Sequence, residues 1–343
     1  MSNRGPTNAD ILSGVLTLVG TLTAIVGNIL VCLTIYRSSR LRTPTNVFIA
    51  AMATIGLLFA AFSGPSITVT MFAGRKWIFG QHFCNFQGFM ILFIEFATLH
   101  TIALTAFNRF CRMSKFHLYQ KIFPSKRQSC AIMILVWTIQ VAFIFTFSLP
   151  SFAKYEFKAK RASCVLKFDG EIAEIIYTIM KSTFYFGITS IIVVYCYAKV
   201  FCNIREHTRK VSATFRTGEK INIEEIRITR TVFGVVLFFL VCWIPEYIIS
   251  IIIRVHPDHL HPVAHRVVVF FLFVSCSSNP WVYAATNREF RNEFKRLLIC
   301  RGRRNDVVEL VKPKKASTEE PGVVELRKTS SVALTPAEIP VRV

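Results

Sequence analysis

Three ionisable side chains stand alone inside otherwise uncharged stretches: Glu95 within 77–108, Lys181 within 175–198 and Glu246 within 231–253. A charge in hydrocarbon is costly unless it is paired, hydrated or used, so each of the three is a candidate functional group. Glu95 lies eleven residues past Cys84, roughly 16 Å below the surface at the helical rise of about 1.5 Å per residue. Glu246 sits eight residues inside Arg254 and Lys181 seven inside Glu174, roughly 10–12 Å deep on the same scale. Similar depths bring the three charges to one polar cavity in the outer half of a bundle. The chemistry that follows is competition: Lys181 pairs with Glu246 or Glu95 in the empty cavity, and a polar or charged ligand takes one partner. Two other readings stay open, a permanent salt bridge that touches no ligand and a proton or solute path that uses Glu95, Lys181 and Glu246 as a relay.

The elements that must position these groups are seven apolar runs. Those at 11–36, 43–74, 128–153 and 267–287 contain no Asp, Glu, Lys or Arg, and the three runs above carry one charge each. About 20 apolar residues span roughly 30 Å of hydrocarbon as a helix. Hydrophobic residues make up 52% of the 343, and the mean hydropathy of +0.46 belongs to a membrane protein. The expected fold is therefore an all-α membrane protein, a seven-transmembrane helix bundle with a short amphipathic helix after the seventh span. Its organisation reads as a tail at 1–10, a seven-transmembrane bundle at 11–286, a membrane-surface helix at 287–300 and a disordered tail at 301–343.

A net charge of +21 would suit a nucleic-acid binder, but the basic residues sit in short loops beside apolar runs, where they set topology and meet anionic lipid. With the amino terminus outside, the inward segments hold 24 Lys and Arg and the outward segments 10, so the amino terminus is expected outside and the carboxyl terminus in the cytoplasm. The start of the chain is short and polar, and the first span is expected to serve as its own insertion signal. Most of the ten cysteines lie in apolar runs; Cys84 and Cys164 alone fall on the outward side, where they form either a bridge that pins a loop over the bundle or two free thiols. Phe290, Phe294, Leu297 and Leu298 recur at helical spacing between basic residues, as in a helix lying on the membrane. No metal-ligand cluster and no set of nucleophile, base and orienting group is evident, so neither an enzyme nor a cofactor is expected.

Short motifs then accumulate in order through all seven runs: Gly27-Asn28, Trp77-x-x-Gly80 with Cys84, Asn108-Arg109-Phe110, Trp137, Tyr197, Phe239-x-x-Cys242-Trp243-x-Pro245 and Asn279-Pro280-x-x-Tyr283. Over about 27–298 the chain resembles the rhodopsin-like (class A) G protein-coupled receptors. Tyr36-Arg37, Leu41-Arg42, Gly88-Phe89 and Cys111 after Asn108-Arg109-Phe110 make it most similar to the melatonin-receptor branch.

The resemblance implies a plasma-membrane receptor that couples an extracellular small-molecule or peptide ligand to a heterotrimeric G protein, with arrestin, a receptor kinase and membrane lipid as further partners. A ligand-independent, constitutively signalling receptor is the alternative within that class. The pocket-facing positions implied are Ile91, Glu95, Lys181, Tyr185, Trp243, Glu246 and Tyr247. Arg109 resembles the arginine that engages the G protein, and Glu225 the carboxylate that holds it at rest. Phe239, Trp243 and Pro245, with Tyr197, Asn279, Pro280 and Tyr283, resemble the parts of a switch in which the sixth helix moves. Cys300 is a candidate palmitoylation site, and Ser317, Thr318, Thr329, Ser330 and Ser331 are candidate phosphate acceptors.

Departures from the pattern carry information as well. Asn108 replaces the usual carboxylate beside Arg109, which predicts a moderate bias toward activity at rest. Tyr185 stands where melatonin receptors place a histidine, and Thr189 where most of the family has proline. Ile91 lacks the aspartate that holds ammonium ligands, and Phe273 the lysine that holds retinal. Gly56 replaces the aspartate that coordinates sodium near Asn28 and Ser275, which predicts weak or absent sodium modulation.

Overall fold

Local chemistry sets where the helices begin and bend. The structure is a computed structural model that describes residues 5–213, 233–234, 236–238, 240–245, 247–249, 252 and 262–298. Helix α1 (Asn8–Arg37) opens on a capping box: the Thr7 hydroxyl accepts from Asp10 N, and the Asp10 carboxylate accepts from Thr7 N. α2 (Asn46–Leu58) passes through a π-helical segment, Phe59–Ser63, into α3 (Gly64–Phe72), so that one span covers Asn46–Phe72. Pro65 explains the irregularity, because it has no N–H to return to the preceding turn. α4 (Gly80–Ser114) is the longest helix described, and the short α5 (Phe116–Ile122) follows it. α6 (Lys126–Phe147) is capped by the Ser125 hydroxyl, which accepts from Gln128 N at 3.2 Å.

Between the fourth and fifth spans the chain forms an antiparallel hairpin, β1 (Ala153–Lys158) and β2 (Ser163–Phe168), in register from Ala153 opposite Phe168 to Lys158 opposite Ser163. The fifth span consists of α7 (Glu171–Met180), a π-helical segment Lys181–Ile188 and α8 (Thr189–Ala213). An apolar helix, α9 (Val236–Ile249), represents the sixth run. α10 (Pro262–Thr286) contains Pro280, and α11 (Arg288–Leu298) follows after Asn287.

Among the described residues, six helices are long and apolar enough to cross a membrane, and α9 is the shorter seventh apolar helix. Large apolar side chains point away from the protein along α1, α6 and α8, with Leu12, Ile134 and Ile191 each at least 60% exposed. Such a surface is stable against hydrocarbon, not water. The inward faces are lined by small and hydroxyl-bearing residues that let helices approach closely. The Thr68 hydroxyl donates to the Thr17 hydroxyl at 3.2 Å, and Gly27 admits the Pro280 ring from α10. The main core runs through Ile94, Phe96, Ala97, Ile102 and Trp243.

Two elements differ from the sequence expectation. The loop before the fifth span is a hairpin with a complete ladder, which its mixed Lys, Glu and aromatic composition did not announce. In α11, Phe290 and Phe294 are buried against Val31, Leu41 and Tyr283, while Leu298 is exposed. The apolar face of α11 is thus shared between protein and surroundings.

Candidate functional site

Lys181, the first residue of the π-helical segment within the fifth span, reaches the third span. Lys181 Nζ lies 2.6 Å from Glu95 Oε1, with the two side chains 26% and 13% exposed. The ammonium also sits 5.9 Å from the Phe96 ring centroid, within reach of its π-face. Phe96 is fully buried and stacks on Tyr185 at 4.1 Å; Phe143 approaches the same tyrosine at 4.5 Å, and His100 meets it edge-on at 5.1 Å. An ion pair is therefore set against an aromatic wall. Lys181 and Tyr185, four apart, lie on one face of the helix and both meet α4, through Glu95 and Phe96.

The other candidate pocket residues distribute around this pair. Ile91 is half-buried and packs on the main core. Trp243 is buried, and its indole N–H donates to the Ser275 hydroxyl at 2.8 Å, tying α9 to α10. Tyr247 stacks on Phe186 at 4.1 Å with planes 10° apart, which places it against the fifth span. Glu246 and Phe239 lie outside the described residues; Glu95 is one partner of Lys181.

The hairpin covers this end of the bundle. Cys84 and Cys164 form a disulfide that closes a separation of 80 residues. In the chain-entropy picture such a loop stabilises by roughly 4 kcal/mol, an upper figure for a chain already confined to a membrane. Gln87, fully buried, donates to the Ser66 hydroxyl at 2.6 Å and accepts from Cys164 N at 2.9 Å, bridging α3, α4 and β2. Gly88 has no side chain because the Tyr155 ring occupies that space: a Cβ there would overlap it. Tyr155 in turn shares a 2.7 Å hydrogen bond with the Ser148 hydroxyl, and burial pushes its phenol up to about 12.

At the opposite end, Arg109 is 1% exposed, and Tyr197 from α8 lies within its electrostatic reach. Asn108 is fully buried; its Oδ1 accepts from the Thr45 hydroxyl at 3.0 Å, and its amide nitrogen has no acceptor among the described residues. Tyr197 packs on Phe233 at 5.6 Å. Tyr283 packs on Phe290 at 5.5 Å, and together with Phe48, Ile49, Met52, Ile102, Thr105 and Val236 it lines a small apolar cavity. Asn279 is buried, Pro280 fills the notch at Gly27, and Pro245 is half-buried in α9. Glu225 and Cys300 lie outside the described residues.

Gly56 does more than omit a carboxylate. A Cβ there would come within 2.5 Å of Asn28 Nδ2 and 2.8 Å of its Cγ. Asn28 uses that room to donate to Ala24 O at 2.8 Å and Cys276 O at 3.2 Å, joining α1 to α10. Among the described residues this position offers amide and hydroxyl oxygens and no anionic ligand, a poor donor set for a hard cation.

Sequence reading missed Phe96, His100, Phe143 and Gln87. His100 and Gln87 had a usable signal, since a polar side chain inside an apolar run must find partners. The two phenylalanines had none among 32 in the chain.

The family described as 7 transmembrane receptor (rhodopsin family) matches residues 27–283. The chain is 28% identical to Melatonin receptor type 1A-A of Danio rerio over 280 residues, covering 80% of this chain and 77% of that protein. It is 28% identical to Melatonin receptor type 1C of Gallus gallus over 289 residues, covering 82% and 80%. Among solved structures, squid rhodopsin superposes with a TM-score of 0.73 at 22% identity, covering 93% of this chain and 94% of the other, a likeness of fold.

Proposed function

Because the chain belongs to the rhodopsin family of seven-transmembrane receptors, we propose a specific reading of how this G protein-coupled receptor takes its ligand: an aromatic molecule bearing one acidic or strongly polar group separates Lys181 from Glu95. The receptor is a multi-pass membrane protein and not an enzyme; its partners are an extracellular ligand and a heterotrimeric G protein. No observation favours a transporter.

The ion pair carries the reading. At 2.6 Å, and partly exposed, Lys181 and Glu95 are neutralised without being sealed off. A ligand that offers its own anion to Lys181 exchanges one pair for another at small net electrostatic cost, whereas a fully buried pair would resist exchange. The neighbouring Phe96, Tyr185 and Phe143 rings supply the apolar and stacking surface that an aromatic body needs. Ile91, Trp243, Glu246 and Tyr247 complete the pocket in this reading. The two relatives are named for melatonin, so melatonin heads the ligand panel, followed by indole acids.

The rest follows from orientation. The bias of basic residues puts the amino terminus and the hairpin outside and α11 in the cytoplasm. Ligand binding near Trp243 biases two arrangements of the α9 and α10 helices around Pro245 and Pro280, with Phe239 a further part of the switch in this reading. The arrangement with a cytoplasmic cleft exposes Arg109, beside Tyr197 and Tyr283, to a G protein; Asn108 and Glu225 set the resting restraint. Arrestin and a receptor kinase act on the tail, while α11 and Cys300 meet membrane lipid.

The test is a measurement of cAMP, calcium and arrestin responses to indoles, indole acids, peptides and lipids, repeated on Lys181→Met at matched surface density. The expected result is an agonist whose potency falls at least about tenfold in Lys181→Met, the loss of one charge-assisted contact. Unchanged potency in the variant would show that the pair only supports structure.

A further inference from the structure

At the hairpin end, four separate elements meet around one carboxylate. Asp10 in the first turn of α1 is 5% exposed, and its Oδ1 lies 2.6 Å from Arg75 Nε and 3.6 Å from Arg266 Nη2. Its Oδ2 is occupied by the Thr7 hydroxyl at 2.7 Å. Arg75, in the connection after α3, also donates through Nη1 to Ala159 O at 3.0 Å and Lys160 O at 2.8 Å in the hairpin turn. Arg266 and His265 come from the first turn of α10.

The donors left over are informative. Nε and Nη2 lie on the same edge of a guanidinium and are built to grip an anion with two prongs. Arg75 gives Nε to Asp10 and keeps a buried Nη2 without an acceptor; Arg266 turns Nη2 toward the same oxygen and keeps a buried Nε without an acceptor. The His265 side chain, 4% exposed, adds a third buried nitrogen, Nδ1, that no described residue satisfies. Arg161, Lys160 and Arg75 all act electrostatically on that imidazole. Two orphaned guanidinium N–H groups and an imidazole nitrogen that donates in its Nδ1–H tautomer, in a cluster of four cationic residues, are therefore set against the single carboxylate of Asp10. Buried polar groups of this kind cost about 1–3 kcal/mol each when unmatched, more when charged.

We propose that this junction of α1, the α3–α4 connection, the hairpin turn and α10 binds a small inorganic anion of chloride's class, held by Arg75 Nη2, Arg266 Nε and His265 Nδ1. The anion supplies the acceptors that Asp10 cannot, and ties the hairpin to α1 and α10. None of these groups belongs to the Lys181–Glu95 site, so the inference stands apart from the ligand reading.

The experiment follows thermal unfolding of the full receptor in nanodiscs while sodium chloride replaces sodium gluconate at constant ionic strength. The midpoint should rise with chloride and saturate. Arg266→Met and His265→Ala should each raise the half-effect chloride concentration by about tenfold or more, as expected for losing one hydrogen bond to an ion. Equal midpoints in chloride and gluconate, or the same chloride increment in both variants, would overturn the proposal. Should either variant fail to fold, binding of radiolabelled chloride to the unaltered receptor decides: saturable uptake near one ion per receptor supports the site, and none overturns it. Displacement of that chloride by phosphate would support the same site with wider selectivity.

Discussion

Glu95→Gln and Lys181→Met, alone and together, should separate the energetics of the intramembrane pair from its surroundings. Two unit charges 2.6 Å apart attract by about 6 kcal/mol at an effective dielectric of about 20, before either is charged for leaving water. Because both side chains are mostly enclosed, at 26% and 13% exposure, much of the desolvation cost is incurred. Removing one partner takes a charge-assisted contact from the other, so each single variant should lose about 1.5–3 kcal/mol of stability. The double variant removes the pair as a unit and should lose less than the sum of the two, leaving a coupling energy of roughly 1–3 kcal/mol. Lys181→Met also forfeits the cation over Phe96, so it should be the more damaging single change. Thermal inactivation of purified receptor in one detergent, read for all four proteins, gives the cycle. Additive losses, with a coupling below about 0.5 kcal/mol, would refute the claim that Lys181 and Glu95 act as one unit.

Three further outcomes follow from particular contacts. Asn108→Asp places a carboxylate beside Arg109 while keeping the acceptor that Thr45 uses at 3.0 Å; basal nucleotide exchange at matched surface density should fall about fivefold, the effect of roughly 1 kcal/mol on a two-state balance, and an unchanged or higher basal rate would contradict this restraint. Gly56→Ala drives a methyl group into the Asn28 amide and should cost about 1–3 kcal/mol, seen as a lower thermal midpoint and reduced surface expression; a midpoint equal to that of the parent would contradict the close approach. Exchange of sodium for potassium or choline at constant ionic strength should leave agonist affinity unaltered, because the site near Asn28 and Ser275 lacks a carboxylate; sodium-specific inhibition would contradict that.

How far the sequence could be read depended on the range of the signal. The crossing segments were legible because hydrophobicity over about 20 residues is a local property that the bilayer enforces. The motif order from Asn28 to Tyr283 was legible for the same reason, since its spacing lies along the chain. Cys84 and Cys164 could be named as the two cysteines expected on the outward side, yet whether they bonded depended on a hairpin whose β-ladder unites residues from Ala153 to Phe168. Phe96, Phe143 and Tyr185 look like any other aromatics in the chain until α4, α6 and the fifth span are packed together.

Sequence alone determined that seven greasy stretches must be helices, that their few charges are costly and that the basic loops bias which side faces in. Each of these is a contest between one segment and its solvent, decided without reference to any other segment. Tertiary structure decided the pairings: Lys181 with Glu95, Asn28 with the backbone of α10, and Arg75 and Arg266 with Asp10. A π-helical turn rotates side chains by one residue's worth of arc, and a glycine admits or excludes a neighbouring helix. Such shifts of a few ångströms decide which charge meets which, because hydrogen bonds and ion pairs are short-ranged while the apolar pattern that builds the helices is not.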